Sequence, residues 1–544
     1  MSAMSIGSAP LDLRLPEALA AAVSGRVQEA LRDDWAGRVW ARDATLWAPE
    51  GTPELANRLG WLDLPEEAVA LLPELDALRD ELVGEGKTDV VVLGMGGSSL
   101  APEVVRRSFG PRTGALRLHV LDSTDPSAVL ALENALDLER TVFLVSTKSG
   151  GTIETLSLFR HFHQRLGGAG ASAFVAITDP GSSLADLAAE HGFRRIFLAN
   201  PDVGGRYSAL SHFGLVPAAL AGAPLGEVVD SARAAAAACR GGEDNPGLWL
   251  ACLWGELALQ GRDKLTWVVD PPLESFGLWV EQLVAESTGK EGKGILPVAG
   301  EPLGAPDAYG DDRMFAYVAG PDGASAGAVD ALADAGQPVV VLPVESAADL
   351  GRLFFLTEWA TAVAGRVLEI NPFDQPNVQS AKDATSRVLA GYAERGALPD
   401  VPDGGTEGLK RWVSELGPGR YGAIMAYGPP SDEFDAAEAE LRALVRDGTG
   451  AAVTFGYGPR FLHSTGQLHK GGPKDGVFLQ LVAEVTEDVD VPEAGYTFGT
   501  LRDAQAIGDL ETLRSNDLPT EHVRLGGRPV PALEGLTRAI KEMI

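Results

Sequence analysis

Apolar residues in the first 85 positions recur at intervals of three and four, in PEALAAAVSGRVQEAL (16–31) and in PEEAVALLPELDALRDELV (65–83). That spacing predicts helices with one buried face, and each stretch opens with the proline that suits a first helical turn. The pattern then changes to short apolar runs, Gly/Ser-rich loops and amphipathic stretches. TDVVVLGMGGSSLAPEVVRRSF (88–109), LRLHVLDSTDPSAVLALENAL (116–136), RTVFLVSTKSGGTIETLSLFRHF (140–162) and ASAFVAITDPGSSLADLAAEH (171–191) all follow this plan. Four strand–loop–helix units in succession predict a parallel sheet with helices on both faces. After a helical stretch that includes PLGEVVDSARAAAAACR (224–240), DKLTWVVDPP (263–272) and QPVVVLPVES (337–346) begin a second set ending near residue 395. The Pro/Gly/acid-rich LPDVPDGGTEG (398–408) reads as a boundary. Beyond it, YGAIMAYGPP, the amphipathic EFDAAEAELRALVRD, AAVTFGYG and GVFLQLVAEV predict a smaller α/β unit. The expected division is a helical segment 1–85, α/β domains 86–232 and 233–395, and a C-terminal α/β domain 396–544.

Composition narrows the classes of function. The 544 residues carry a formal net charge of −31, which disfavours nucleic acid because polyanion binding rests on a cationic stripe. No apolar run approaches the ~20 residues of a membrane-spanning helix, and the opening stretch has no basic region before its apolar run, so a signal peptide is not expected. Cys239 and Cys252 fit neither a disulfide framework nor a metal-ligand spacing; apolar filling and a cytoplasmic location are expected. A site for a small anion must build local positive charge against this field. Lysine is scarce, ten in the chain, so Lys148, Lys290, Lys382 and Lys470 in polar segments are conspicuous.

Six segments carry candidate chemistry. GMGGSSL (94–100) joins a strand to a helix, where free amides and the helix end favour an anion; tight-turn geometry alone also explains its glycines. It lacks the third glycine of a dinucleotide fingerprint, since Leu100 stands there. STKSGGTIET (146–155) combines lysine, hydroxyls and glycines at a helix start, a mixture suited to a phosphate monoester; Thr152 and Thr155 also read as helix caps. DVGGRYSALSHFG (202–214) allows Arg206 to reach inward, and arginine stays charged at any working pH. In WVEQLVAESTGKEGKG (279–294), Gln282 and Glu286 are four apart and share a helix face, although from this segment alone a solvated glutamate on an amphipathic helix is the favoured reading. NPFDQPNVQSAK (371–382) offers Gln375 in a loop and Lys382 a turn and a half into the following helix. GPRFLHSTGQLHKGG (458–472) holds two of eight histidines, His463 and His469, in a loop suited to acid–base work, whereas His161 and His163 read as helix-flank residues.

Taken together and in this order, GGSSL, STKSGGTIET, VGGRYS, ESTGK and FDQPNVQSAK resemble the glucose-6-phosphate isomerases, over about residues 85–395. The HSTGQLHKGG stretch is similar to the branch of that family fused to transaldolase. The resemblance implies two sugar-isomerase-type α/β subdomains, interconversion of glucose 6-phosphate and fructose 6-phosphate through a cis-enediolate, and no metal or organic cofactor. It implies substrate contacts from Gly97, Ser98, Thr147, Lys148, Ser149, Thr152, Gly205, Gln282 and Gln375. It implies Glu286 as the base that moves the proton, Arg206 as the stabiliser of the enediolate, and a ring-opening acid–base pair including Lys382. The family's ring-opening histidine usually precedes the glutamine–lysine motif; no histidine lies between 287 and 374 here, so His463 is the candidate and His469 the runner-up. A phosphosugar is the implied partner, with neither nucleic acid nor membrane, and a dimer with sites completed across the interface is implied. Rival readings are action on mannose 6-phosphate as well, a non-catalytic phosphosugar sensor, and an amidotransferase. The last needs a nucleophilic cysteine at position 2, which is Ser2.

Overall fold

The computed structural model describes residues 4–5, 9–167 and 170–544; Ser2 lies outside them. Three sheets organise the chain. The first is wholly parallel, in the order Arg117–Leu121, Asp89–Gly94, Thr141–Ser146, Phe174–Thr178, Arg195–Leu198. Its three central strands are buried at every position, as continuous apolar runs between two helical layers must be. The chain leaves Asp89–Gly94 toward one side of the sheet and returns on the other at Thr141–Ser146. The carboxyl ends of these neighbours, where Gly94 pairs with Ser146, flank the crevice where ligands of open α/β sheets bind.

The second sheet runs Met4–Ser5, Asp12–Leu15, Val339–Pro343, Arg313–Ala319, Lys264–Val269, Leu296–Val298. Its last four strands are parallel, and Asp12–Leu15 closes one edge antiparallel, with Arg14 opposite Val339. The sequence pattern assigns this tetrapeptide to a helical segment. Its alternation spans only four residues, too few to register beside the long helices that follow, and pairing rather than propensity makes it a strand. The third sheet, also parallel, runs Ala452–Tyr457, Tyr421–Tyr427, Gly476–Ala483, Thr520–Gly526.

The first two sheets share one large core. The helices Pro246–Leu259 and Leu350–Val367 are apolar almost all round and buried between the layers, as such helices must be. Trp279 and Phe354 meet edge-on at 4.5 Å. Cys239 and Cys252 are buried and free, and burial pushes the Cys239 thiol up to about 12, so both serve as apolar filler. Among the described residues no helix is long and apolar enough to cross a membrane.

The third unit is fastened by buried charge pairs. Arg502 Nη1 donates to Asp125 at 2.7 Å with both side chains almost fully buried, and Lys264 bridges Asp263 and Asp475. Removing one partner of a buried pair strands the other charge, which costs about 3–5 kcal/mol. Arg502→Met is therefore expected to destabilise the protein by about that amount, read as a lower urea midpoint with an unchanged m-value.

Candidate active site

The GMGGSSL segment leaves the strand Asp89–Gly94 as a single 3₁₀ turn, Gly96–Ser98, before the helix Leu100–Phe109. Two glycines there are required by space. Gly96 has φ +53°, and a Cβ on Gly97 would stand 2.0 Å from the carbonyl oxygen of Gly205. Main chain thus touches main chain where VGGRYS crosses GMGGSSL, and Arg206, next to that contact, turns inward.

The Arg206 guanidinium is buried and heavily bonded. Nε donates to Ser287 Oγ at 2.8 Å, Nη1 to Gln375 Oε1 at 2.8 Å, and Nη2 to the carbonyls of Pro372 (2.9 Å) and Asp374 (3.0 Å). Four of its five N–H groups are spent on residues between 287 and 375. Nη1 also lies 3.5 Å from Glu286 Oε1. The helix Phe276–Thr288 presents Gln282 and Glu286 on one face, and Gln282 Nε2 donates to Glu286 Oε2 at 3.0 Å and to the His463 carbonyl at 2.8 Å. One amide therefore ties the carboxylate to the loop of the third unit.

His463 ends the 3₁₀ turn Arg460–His463, and its Nε2 lies 2.9 Å from Glu154 Oε1. Glu154 is buried in the first turn of Ile153–Arg165. Gln505 Nε2 donates to the same oxygen at 2.7 Å, and Thr124 Oγ1 donates to Gln505 Oε1 at 2.8 Å. Burial alone would raise the Glu154 carboxyl, but the charge and hydrogen bond of His463 outweigh it and hold it below the usual carboxylate range. With Nε2 committed to Glu154, Nδ1 is the nitrogen that can exchange a proton.

These groups border a cavity of about 350 Å³ lined by Ser149, Thr152, Glu154, Lys382, His463 and Gln505, among others. Thr152 sits at the N-cap of Ile153–Arg165 without capping it; its hydroxyl is 2.7 Å from Thr147 Oγ1. Lys382, in the helix Val378–Arg395, faces the cavity and has no ion pair among the described residues. Lys148 stands apart from this group. Its ammonium is drawn to the half-buried Asp179 and donates to the Pro201 carbonyl at 3.1 Å, so a neighbouring carboxylate has captured the charge expected to face an anion. Gln282, Glu286, Arg206 and Gln375 lie outside the cavity lining, joined to it through the Gln282–His463 contact. His469 is unlike His463. It is buried among Tyr421, Phe461 and Phe478, and burial with the nearby Lys470 charge pushes it down to about 3, which makes it a neutral core residue.

A family model described as Phosphoglucose isomerase matches residues 81–293. The glucose-6-phosphate isomerase of Rubrobacter xylanophilus is 31% identical over 384 residues, covering 60% of this chain and 88% of that relative. The chain belongs to the phosphoglucose isomerase family. Among solved structures, a hypothetical protein from Thermus thermophilus superposes with a TM-score of 0.60 at 28% identity, over 70% of this chain and 100% of that one. A glucose-6-phosphate isomerase from Chlamydia trachomatis shares the fold, with a TM-score of 0.52 at 22% identity, over 66% of this chain and 78% of that one.

Two groups at this candidate site, Glu154 and Gln505, are inconspicuous in the sequence of this phosphoglucose isomerase family member, and a third, Lys290, stands out there only as a lysine. Glu154 lies inside STKSGGTIET, overshadowed by the hydroxyls around it, and Gln505 belongs to a segment with no motif. Lys290 is buried and bonds Asp374 Oδ1 at 2.7 Å; burial and the Arg206 charge push its ammonium down to about 8 against the pull of Asp374. Its place in ESTGK is the available signal.

Two measurements follow from the packing. Gly97→Ala meets an unyielding carbonyl and is expected to cost about 1–3 kcal/mol, whereas Gly205→Ala meets nothing within 4 Å and should stay within about 0.5 kcal/mol of wild type in urea unfolding. Because Glu154 has a lowered folded-state pKa, its contribution is present above its unfolded pKa near 4.5 and lost as pH falls through the folded value. In Glu154→Gln the loss of stability on acidification below about pH 4.5 should therefore be shallower, measured as midpoint against pH.

Proposed function

We propose that this chain interconverts glucose 6-phosphate and fructose 6-phosphate by proton transfer between C2 and C1 through a cis-enediolate. The single observation that carries the reading is the chain of contacts Arg206–Glu286–Gln282–His463–Glu154, which sets a carboxylate base, a fixed cation and an imidazole–carboxylate pair side by side. Aldose–ketose isomerisation needs these three functions: ring opening, α-proton abstraction and oxyanion stabilisation.

In this mechanism His463, with Lys382 assisting, exchanges the proton between ring oxygen and anomeric hydroxyl, and Glu154 stabilises the imidazolium that forms. Glu286 removes the proton from C2 and returns it to C1. Arg206, with one N–H directed to Glu286, meets the negative charge on the enediolate, an effect of about 3 kcal/mol on the barrier. The phosphate is held by the hydroxyls of Thr147, Ser149 and Thr152 and the amides at the start of Ile153–Arg165, with Lys148 shaping that loop through Asp179. Gly97, Ser98 and Gly205 form the floor, and Gln282 and Gln375 orient the base and the guanidinium. The division of the chain at about 85, 232 and 395 belongs to the same proposal, since each of the three sheets then contributes one part of the machinery.

The reading includes a cytoplasmic location and a homodimer. The resemblance implies sites completed across the dimer interface; the reading here departs from that, because His463 meets Glu154 and Gln282 within one chain. Specific activity per chain is therefore expected to stay constant on dilution through any dimer–monomer transition, checked by coupling product to glucose-6-phosphate dehydrogenase while sedimentation reports the oligomer. The same assay with fructose 6-phosphate tests the activity itself; no turnover would remove the proposal. Glu286→Gln should lower kcat by about 10²–10⁴-fold while calorimetric binding of 6-phosphogluconate changes little. Ordinary turnover in that variant would take Glu286 out of the mechanism.

A further inference from the structure

On the other side of the turn Arg460–His463 lies a second cavity of about 470 Å³. The turn divides the two: Leu462 and His463 line the first, while Arg460, Phe461 and Ser464 line the second. The remaining walls come from Glu281 on the 276–288 helix, Asp435, Glu438 and Arg442 on the helix Asp432–Thr449, and Phe455 and Tyr457 at the end of a strand.

Each guanidinium here is tied mainly to other partners. Arg460 makes a two-pronged bond to Asp122 at 2.8 and 2.7 Å, and Arg107 is paired with Glu103. Arg442 gives Nε and Nη2 to the carbonyls of Val453 and Ala299. The carboxylates are less fully met. Glu438 is more than nine-tenths buried and its Oε2 accepts no hydrogen bond among the described residues; Arg442 Nη1 is 3.8 Å away. Glu281 has no hydrogen bond or ion pair among the described residues, and Asp435 is bonded through one oxygen to the Tyr457 hydroxyl at 2.6 Å. Buried polar atoms are satisfied as a rule, and what the Glu438 oxygen lacks is a donor within hydrogen-bond distance, since its ion-pair partner Arg442 stands 3.8 Å away.

We propose that this cavity binds a small organic cation, an alkylammonium or short diamine, with Glu438 and Glu281 as its carboxylate partners and Phe455 and Tyr457 as its aromatic wall. A carboxylate pair beside aromatic rings suits an ammonium whose alkyl part needs an apolar surface. The chain's net charge of −31 draws such a ligand in. Burial pushes Glu281 up to about 8 and Glu438 up to about 7, and Arg442 pulls both down. The charge of Glu438 adds to the rise of Glu281, and that of Asp435 to the rise of Glu438. The charges of Arg460 and Arg442 face Glu281. A bound cation ionises these carboxyls, so binding near neutral pH releases protons. The site is separate from the proposed isomerase chemistry and does not rest on it.

Calorimetric titration of putrescine into the full-length protein at pH 7, at ionic strength fixed with NaCl, tests this. Runs in PIPES and in MOPS count protons through the buffers' different ionisation heats. The expected result is one saturable site with net proton release, affinity weakened at least about tenfold in both Glu438→Gln and Glu281→Gln, and proton release reduced in each. Binding should persist in Glu286→Gln. The absence of saturable binding, unchanged affinity and proton release in both cavity variants, or loss of binding in Glu286→Gln would overturn the proposal.

Discussion

A buried guanidinium holds this molecule's working parts in register. Arg206 is expensive to bury, because a desolvated charge survives only where its donors are met. Here they are met by a hydroxyl, a side-chain amide and two main-chain carbonyls. The partners come from the 276–288 helix and the 371–375 loop, while Arg206 follows the last strand of the first sheet. Satisfying one cation therefore fixes the segment after the first sheet against that helix and loop. The proximity of Glu286 is a by-product of that fixing: it sits on the same helix face as Gln282 and next to Ser287, which the guanidinium already holds.

The second fixed point is the 460–463 turn of the third unit. It is gripped by Arg460 on Asp122, by Gln282 on the His463 carbonyl, and by Glu154 on the imidazole. Each grip reaches a different helix or strand end that belongs to the first two sheets and their helices. The histidine is oriented by its ring nitrogen and its backbone at once, so neither the rotamer nor the loop can shift alone.

Much of this was legible in the chain. The strand–loop–helix rhythm between 88 and 191 became a parallel sheet because continuous apolar runs have nowhere else to bury both faces. The spacing of Gln282 and Glu286 became a shared helix face, and Lys382 lies on the helix after the Gln375 loop. What could not be read was pairing across distance. Lys148 sits in a hydroxyl-rich loop, but only the fold reveals Asp179 beside it. Glu154 is inconspicuous until a histidine more than 300 positions away meets it. Asp12–Leu15 is a strand because Val339–Pro343 offers an open edge. His463 and His469 look alike in sequence, and only burial separates a polar site from an aromatic cage.

The contact between Gly97 and Gly205 has a further consequence. Peptide meets peptide there with no side chain interposed, so the hydrogen-bonding groups at that crossing belong to the main chain alone. The side chains that set the cavity's chemistry stand elsewhere, among them those of the helix Val378–Arg395 and of the hydroxyl-bearing turn after Ser146.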